Sequence, residues 1–437
     1  MRTLKHIFAG STSMLILVAC GNNAALPTSA QYGASPELPA QHQEFIPTQK
    51  TPSTVGWKNG ETPKPASGLK VNAFATGLKH PRWLYVLPNG DVLVAESDHG
   101  TQAADTMGYG GWVESLVRRI EGQFTESANR ITLLRDADGD GVAETRTVLI
   151  SGLNAPFGMT LVGDTLYVAD TDALLAFPYR KGETHIAEAG RKITDLPAGD
   201  IDHHWTKNVI ASKDGSKLYV SIGSNSNAGE NGLAAEQGRA DIWEVDLRTG
   251  SHRVFASGLR NPNGMGWAPD GALWTAVNER DELGGDLVPD YMTSVKDGGF
   301  YGWPYSYYGQ NIDLRVSPQN PAMVAKAIVP DYALGAHTAS LGLAFADGAK
   351  LGSFYTSGVF IGQHGSWNRK PVSGYRVVFI TFADGHPSGQ PTEVLTGFLN
   401  GDGDVRGRPV DVAIGATGTL LVTDDAGNVV WRVSKSD

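Results

Sequence analysis

From Leu69 onward the chain falls into short runs in which apolar and polar residues alternate, and each run is broken by a turn signal. The recurring phrases are "YVLPNGDVLVAES" from Tyr85, "MTLVGDTLYVADT" from Met159 and "IASKDGSKLYVSIGS" from Ile210. They continue with "GWAPDGALWTAVNE" from Gly266, "LAFADGAKLGSFYTSG" from Leu343 and "VAIGATGTLLVTDDAG" from Val412. A period of two marks a half-buried strand, and Asn-Gly or Asp-Gly between two such runs marks a hairpin. The turn glycines Gly90, Gly163, Gly215, Gly271, Gly348 and Gly418 recur at a mean interval of about 66 residues, enough for four strands and generous loops. Six such units predict an all-β, six-bladed β-propeller over 67–437. "LKVNAFATGL" from Leu69 and "GNVVWRVS" from Gly427 are then expected to pair and close the ring, which removes a free edge.

The chain before the propeller has a different composition. "MRTLKHIFAGSTSMLILVAC" carries basic Arg2 and Lys5, then an apolar stretch, then the only cysteine, Cys20. Residues 1–19 read as a signal peptide, and "LVAC" resembles the bacterial lipobox, in which the cysteine is lipidated. Gly21 in place of aspartate favours the outer membrane, so the expected location is the bacterial envelope, facing the periplasm. Residues 20–66, rich in Pro, Ala, Gln, Ser and Thr, predict a flexible tether. A net charge of -10 argues against nucleic acid as a partner, and an anionic ligand would need a locally basic pocket.

Such a pocket has candidates in the loops. Arg406 and Arg408, at i and i+2 on the approach to a strand, would point the same way and repel unless an anion lay between them. They form either a carboxylate clamp or two solvated arginines. "DIDHHWTKN" sets Asp202 beside His203 and His204, with Lys207 behind. Zinc is disfavoured there, because adjacent histidines on an extended segment face opposite sides. Only one of them should reach the channel. "NERDELGGDLVPDY" carries Glu279, Asp281, Glu282 and Asp286, and "GQHGSWNRK" carries His364, Asn368 and Arg369. "DADGDGVAE", Asp136 to Glu144, reads either as a calcium loop or as a surface hairpin, since Thr147 stands where an EF-hand needs glutamate. Trp303 and Tyr305 in "GGFYGWPYSYYG" suit loop packing or sugar stacking.

The order Asp-His, Arg-Asn-Pro-x-Gly, acidic Gly-Gly-Asp loop, "GGFYGWP" and Arg-x-Arg resembles the pyrroloquinoline quinone (PQQ)-dependent sugar dehydrogenases, in particular their sorbosone dehydrogenase-like branch. The likeness spans Leu69 to Ser436. It implies oxidation of an aldose or a sorbosone-type sugar aldehyde, with electrons passed to a periplasmic acceptor. It also implies His203 as general base, oriented by Asp202, and Arg260 near the reacting quinone. Cofactor contacts would come from Lys207, Arg260, Asn261, Arg406 and Arg408. Asn368 stands where the family often has a cofactor-binding lysine, for which Arg369 or Lys370 would substitute. Calcium is implied near Asp281 and Glu282, where the family usually has Gly-Pro. Two other classes remain open on sequence: a propeller lactonase with a channel metal, and a non-enzymatic binding propeller of the envelope.

Overall fold

The computed structural model describes residues 24–42, 52–98 and 127–436. Among the described residues, six sheets form blades of the predicted kind, each an antiparallel four-strand meander, beside one small two-stranded sheet. The first blade is Pro81–Val86, Val92–Glu96, Arg130–Arg135 and Thr145–Ser151. Equivalent four-strand meanders begin at Met159–Val162, Val209–Ala211, Pro262–Trp267 and Ser340–Phe345. The sixth blade runs Pro409–Ile414, Leu420–Asp424, Val429–Lys435 and then Leu69–Thr76, with Val433 opposite Val71. The ring closes as the terminal sequences imply.

Burial follows strand position. Second strands such as Val92–Glu96 and Leu273–Val277 are buried at every residue, because their blades pack on both sides. Outer strands such as Arg191–Asp195 have no buried residue. All six predicted turn glycines have φ between +57° and +94°, the region in which glycine carries no Cβ penalty. Inner strands crowd at the axis. A Cβ on Gly342 would lie 2.6 Å from the Asp411 Cα, so glycine there lets blades five and six approach. Asp411 in turn accepts the Leu84 amide at 2.9 Å and stitches blade six to blade one.

The structure corrects one expectation. Much of segment 20–66 is laid on the propeller and is not a free tether. Tyr32–Gly33 pairs with Tyr332–Ala336 as a fifth strand of blade four, and Lys64–Pro65 does the same beside His386–Thr396 of blade five. Trp57 stands edge-on to Phe398 and Trp431 at centroid distances of 5.6 and 5.3 Å, and its Nε1 donates to Asp424 at 2.7 Å. Composition misleads here because the segment borrows its partners from the blades. Residues 1–19 and Cys20 lie outside the described residues. Trp57→Ala should cost about 2 kcal/mol and lower the thermal midpoint by several degrees, whereas a free tether would leave it unchanged.

Candidate active site

In an antiparallel meander, the loops entering the inner strands and those joining second to third strands share one face of the ring. Apart from the acidic Asp136–Glu144 loop, the sequence-predicted catalytic and cofactor residues fall on this face. They arrange around the axis in a circuit with three centres.

The first centre is the histidine pair on the loop into blade three. His204 is buried, and its Nδ1 meets the Ser224 carbonyl at 3.0 Å and the Ser224 hydroxyl at 2.9 Å. A carbonyl only accepts, so Nδ1 carries the proton and Nε2 keeps its lone pair. Burial, with Arg260 and His203 nearby, holds His204 well below the ordinary imidazole range and therefore neutral. Gly223 makes room: a Cβ there would lie 2.4 Å from the His204 Cβ and 2.6 Å from Asn261 Oδ1. His203 is half-exposed, with its ring edge-on to His204 at 4.5 Å. The structure thus brings His204, not His203, against Arg260 and Asn261.

Two neighbours expected to act on ligand or base are engaged elsewhere. The Asp202 carboxylate lies 3.5 Å from Lys207 Nζ and also binds Arg239. Lys207 is fully buried and donates to the His204 and Trp205 carbonyls at 3.3 and 2.9 Å, so it fixes the histidine loop from behind. Burial pulls its ammonium down to about 8, against the pull of Asp202.

The second centre is Asp281 on blade four. Its carboxylate meets His337 Nδ1 at 3.2 Å, Asn368 Nδ2 at 2.7 Å and Arg260 Nη2 at 3.4 Å. Burial opposes its ionisation, but these three donors outweigh burial and hold Asp281 well below the usual carboxylate range. His337 also donates Nε2 to the Gly284 carbonyl at 3.0 Å, and although burial opposes protonation, Asp281 raises its pKa. Arg260 spends its N–H groups on Asn227, Asn278, Glu279 and Asp281, so it organises loops where the resemblance implied contact with a quinone. Asn227, which sequence reasoning missed, also accepts the Asp281 amide at 2.9 Å, and its carbonyl takes Trp303 Nε1, which makes Trp303 a packing residue. Glu282 is half-exposed at φ 72°, 4.0 Å from Arg315. Two buried amide oxygens have no partner: Asn368 Oδ1 at this centre and Asn261 Oδ1 beside His204. Arg369 donates to the Gly285 and Pro371 carbonyls and to Asp286.

The third centre is Asp425 on blade six. It meets Arg82 Nη1 at 2.5 Å, His364 Nε2 at 2.9 Å and His80 Nε2 at 3.5 Å. Arg408 approaches on the far side with its guanidinium 5.4 Å from the Tyr375 ring. Arg82 Nε and Arg408 Nη2 are both buried and lack an acceptor. The Arg82 guanidinium also stands 5.8 Å from the Trp205 ring, which leads back to His204 and closes the circuit. Arg406 does not join Arg408. The strand begins only at Pro409, and the Arg406 and Gly407 amides both turn onto the Phe398 carbonyl, so the expected i, i+2 alignment is lost. Its guanidinium pairs with Glu61 at 3.3 Å. Arg82 was missed on sequence, although "HPRWLYV" repeats at blade one the Arg-and-Pro entry of "RNPNG" and "RGRPV".

Away from this circuit, Asp136, Asp138, Asp140 and Glu144 gather their oxygens within 4.8 Å of one another on the opposite face. Glu144 completes that group, while Thr147 bonds the Thr184 carbonyl.

Fold and site together define a six-bladed propeller whose axial face is rich in arginine and histidine. The family model described as TrAA12-like matches residues 124–294 and 316–436, and the chain belongs to that family. A protein of Hypocrea jecorina called a pyrroloquinoline quinone-dependent sugar dehydrogenase is 23% identical over 56% of this chain and 57% of its own length. The chain thus matches little more than half of that relative. An uncharacterized protein of Borreliella burgdorferi is 28% identical over 64% of this chain and 76% of its own. The holo PQQ domain of pyranose dehydrogenase from Coprinopsis cinerea superposes with a TM-score of 0.68, at 20% identity, covering 88% of this chain and all (100%) of that one. The soluble aldose sugar dehydrogenase of Escherichia coli gives 0.56 at 17% identity, covering 84% of this chain and 100% of its own. The chain therefore shares its propeller fold with these two dehydrogenase structures.

Burial, with Arg82 and Arg408 nearby, depresses His364 to about 4 despite Asp425. An unfolded histidine titrates near 6.5, so between about 6.5 and 4 the unfolded chain binds the extra proton and stability falls with pH. Thermal midpoints measured from pH 7 to 4 should show this slope, and His364→Gln should flatten part of it.

Proposed function

We propose that the protein is a PQQ- and calcium-dependent dehydrogenase that oxidises an aldose or a sorbosone-type sugar aldehyde. The observation that carries this reading is the pair of buried arginine nitrogens without acceptors, Arg82 Nε and Arg408 Nη2, on the same circuit as a neutral histidine with an open Nε2. In an acidic protein, such nitrogens suit a ligand with several carboxylates. PQQ has three, and Arg82, Arg408 and Asn261 are the residues that would hold it. The oxygen donors Asp281, Asn261 and Asn368 suit a hard cation such as calcium. Bound PQQ supplies a two-electron acceptor, which calcium polarises.

The chain's own contribution is proton chemistry. His204 replaces His203 as the proposed base. Its Nε2 takes the proton of the sugar hydroxyl, while Ser224 keeps Nδ1 protonated and Lys207 fixes the loop backbone. Burial keeps the imidazole neutral, so it is ready to accept that proton at neutral pH. The lipobox-like "LVAC" supports an envelope location, with Cys20 lipidated and electrons leaving to a periplasmic acceptor.

The test is reconstitution. The purified protein titrated with PQQ and calcium should show the absorbance of bound quinone and reduce a dye with members of a sugar panel; no binding and no turnover would end the proposal. His204→Ala should lower kcat by roughly 100- to 10,000-fold with PQQ still bound. His203→Ala should stay within a few-fold of the parent, and the reverse result would restore His203 as base. Arg408→Ala should instead weaken PQQ binding.

A further inference from the structure

The N-terminal segment meets the site at one carboxylate. The amides of Ala25 and Leu26 donate to Asp286 Oδ2 at 2.5 and 2.9 Å, and the Gln31 amide donates to Asp286 Oδ1 at 3.1 Å. Gln31 is only 5% exposed, and it also accepts the amide of Ala336, the residue before His337, at 3.4 Å. Ala24 donates to the carbonyl of Lys370, and Tyr32 pairs with Leu334 while its hydroxyl accepts Arg376 at 2.7 Å.

These are not scattered anchor points. Asp286 ends the loop that Asp281 begins. Its Asp281 end is held by His337, Asn368 and Arg260, and its middle by His337 on the Gly284 carbonyl and Arg369 on the Gly285 carbonyl. The Asp286 end is held by Arg369 and by the N-terminal segment. The segment thus touches the three stretches that shape the Asp281 centre: 284–286, 336–337 and 368–370.

We propose that Ala24–Gly33 is a brace for the Asp281–Asp286 loop, through which Gln31 acts as a positioning residue for the metal- and cofactor-binding oxygens. Groups that orient ligands without touching the metal commonly alter affinity by about 10- to 100-fold, and Gln31 stands in that relation to Asp281. The affinity part rests on the dehydrogenase reading; the ordering of the loop does not.

The experiment uses the full chain with Gln31→Ala and, to preserve side-chain volume, Gln31→Met. Hydrogen exchange followed by mass spectrometry should show faster exchange in 24–33 and in 281–286, with blade cores unchanged. Half-saturation by calcium and by PQQ should each shift upward by roughly tenfold, while kcat at saturating cofactor keeps the parental value. The proposal is overturned if 24–33 opens while 281–286 keeps its protection. It is equally overturned if both half-saturation points stay at the parental value. Should the parent bind no PQQ, the dehydrogenase reading falls, and the exchange pattern alone decides the brace.

Discussion

Two guanidiniums, Arg82 and Arg408, crowd towards the single carboxylate Asp425, and the third centre of the axial face is built around that local surplus. Asp425 pairs with Arg82 and meets the imidazoles of His364 and His80, while Arg408 acts on the same His364. A buried charge without a partner is costly, so such a surplus persists only where neighbouring packing enforces it or a ligand relieves it. The protein limits the cost by keeping His204 and His364 neutral and concentrating positive charge on arginine, which does not deprotonate.

The site divides its labour accordingly. Arg260 and Lys207 are saturated by protein partners, and Arg369 and Asp202 are likewise held by protein partners; all four act as internal struts. Arg82, Arg408, Asn261 and Asn368 keep unsatisfied atoms and are the ones facing outward chemistry. This distinction separates residues whose polar groups are consumed by the protein from residues that keep an open one, and residue type alone does not draw it.

That is also why the fold was easier to read than the site. The hairpin phrases repeat a local physical code, alternation plus a turn glycine, and each blade obeys it within its own stretch of chain. The circuit is non-local. Lys207 and Arg369 looked like ligand cations because sequence displays their charge but not the carbonyls that consume it. Arg406 looked paired with Arg408 because the alternation rule was applied one turn before the strand begins. Arg82 was passed over because its partner, Asp425, lies in the last blade. His204 was separated from His203 only by the Ser224 carbonyl, contributed by another loop. Residues 24–42 and 52–66 looked structureless because their strand partners belong to blades four and five.

The closure of the ring by Leu69–Thr76 has a consequence in time. Arg82 lies on the first blade and Asp425 on the last, 343 residues apart in sequence, and the seam between those blades passes through the anion-seeking centre. Contacts of such separation form late, after intervening loops have closed. A chain still on the ribosome can shape blades two to five, yet it lacks the contact that joins the first blade to the last. The Arg82–Asp425 contact is therefore a property of the finished molecule alone, a local record that synthesis and ring closure are complete.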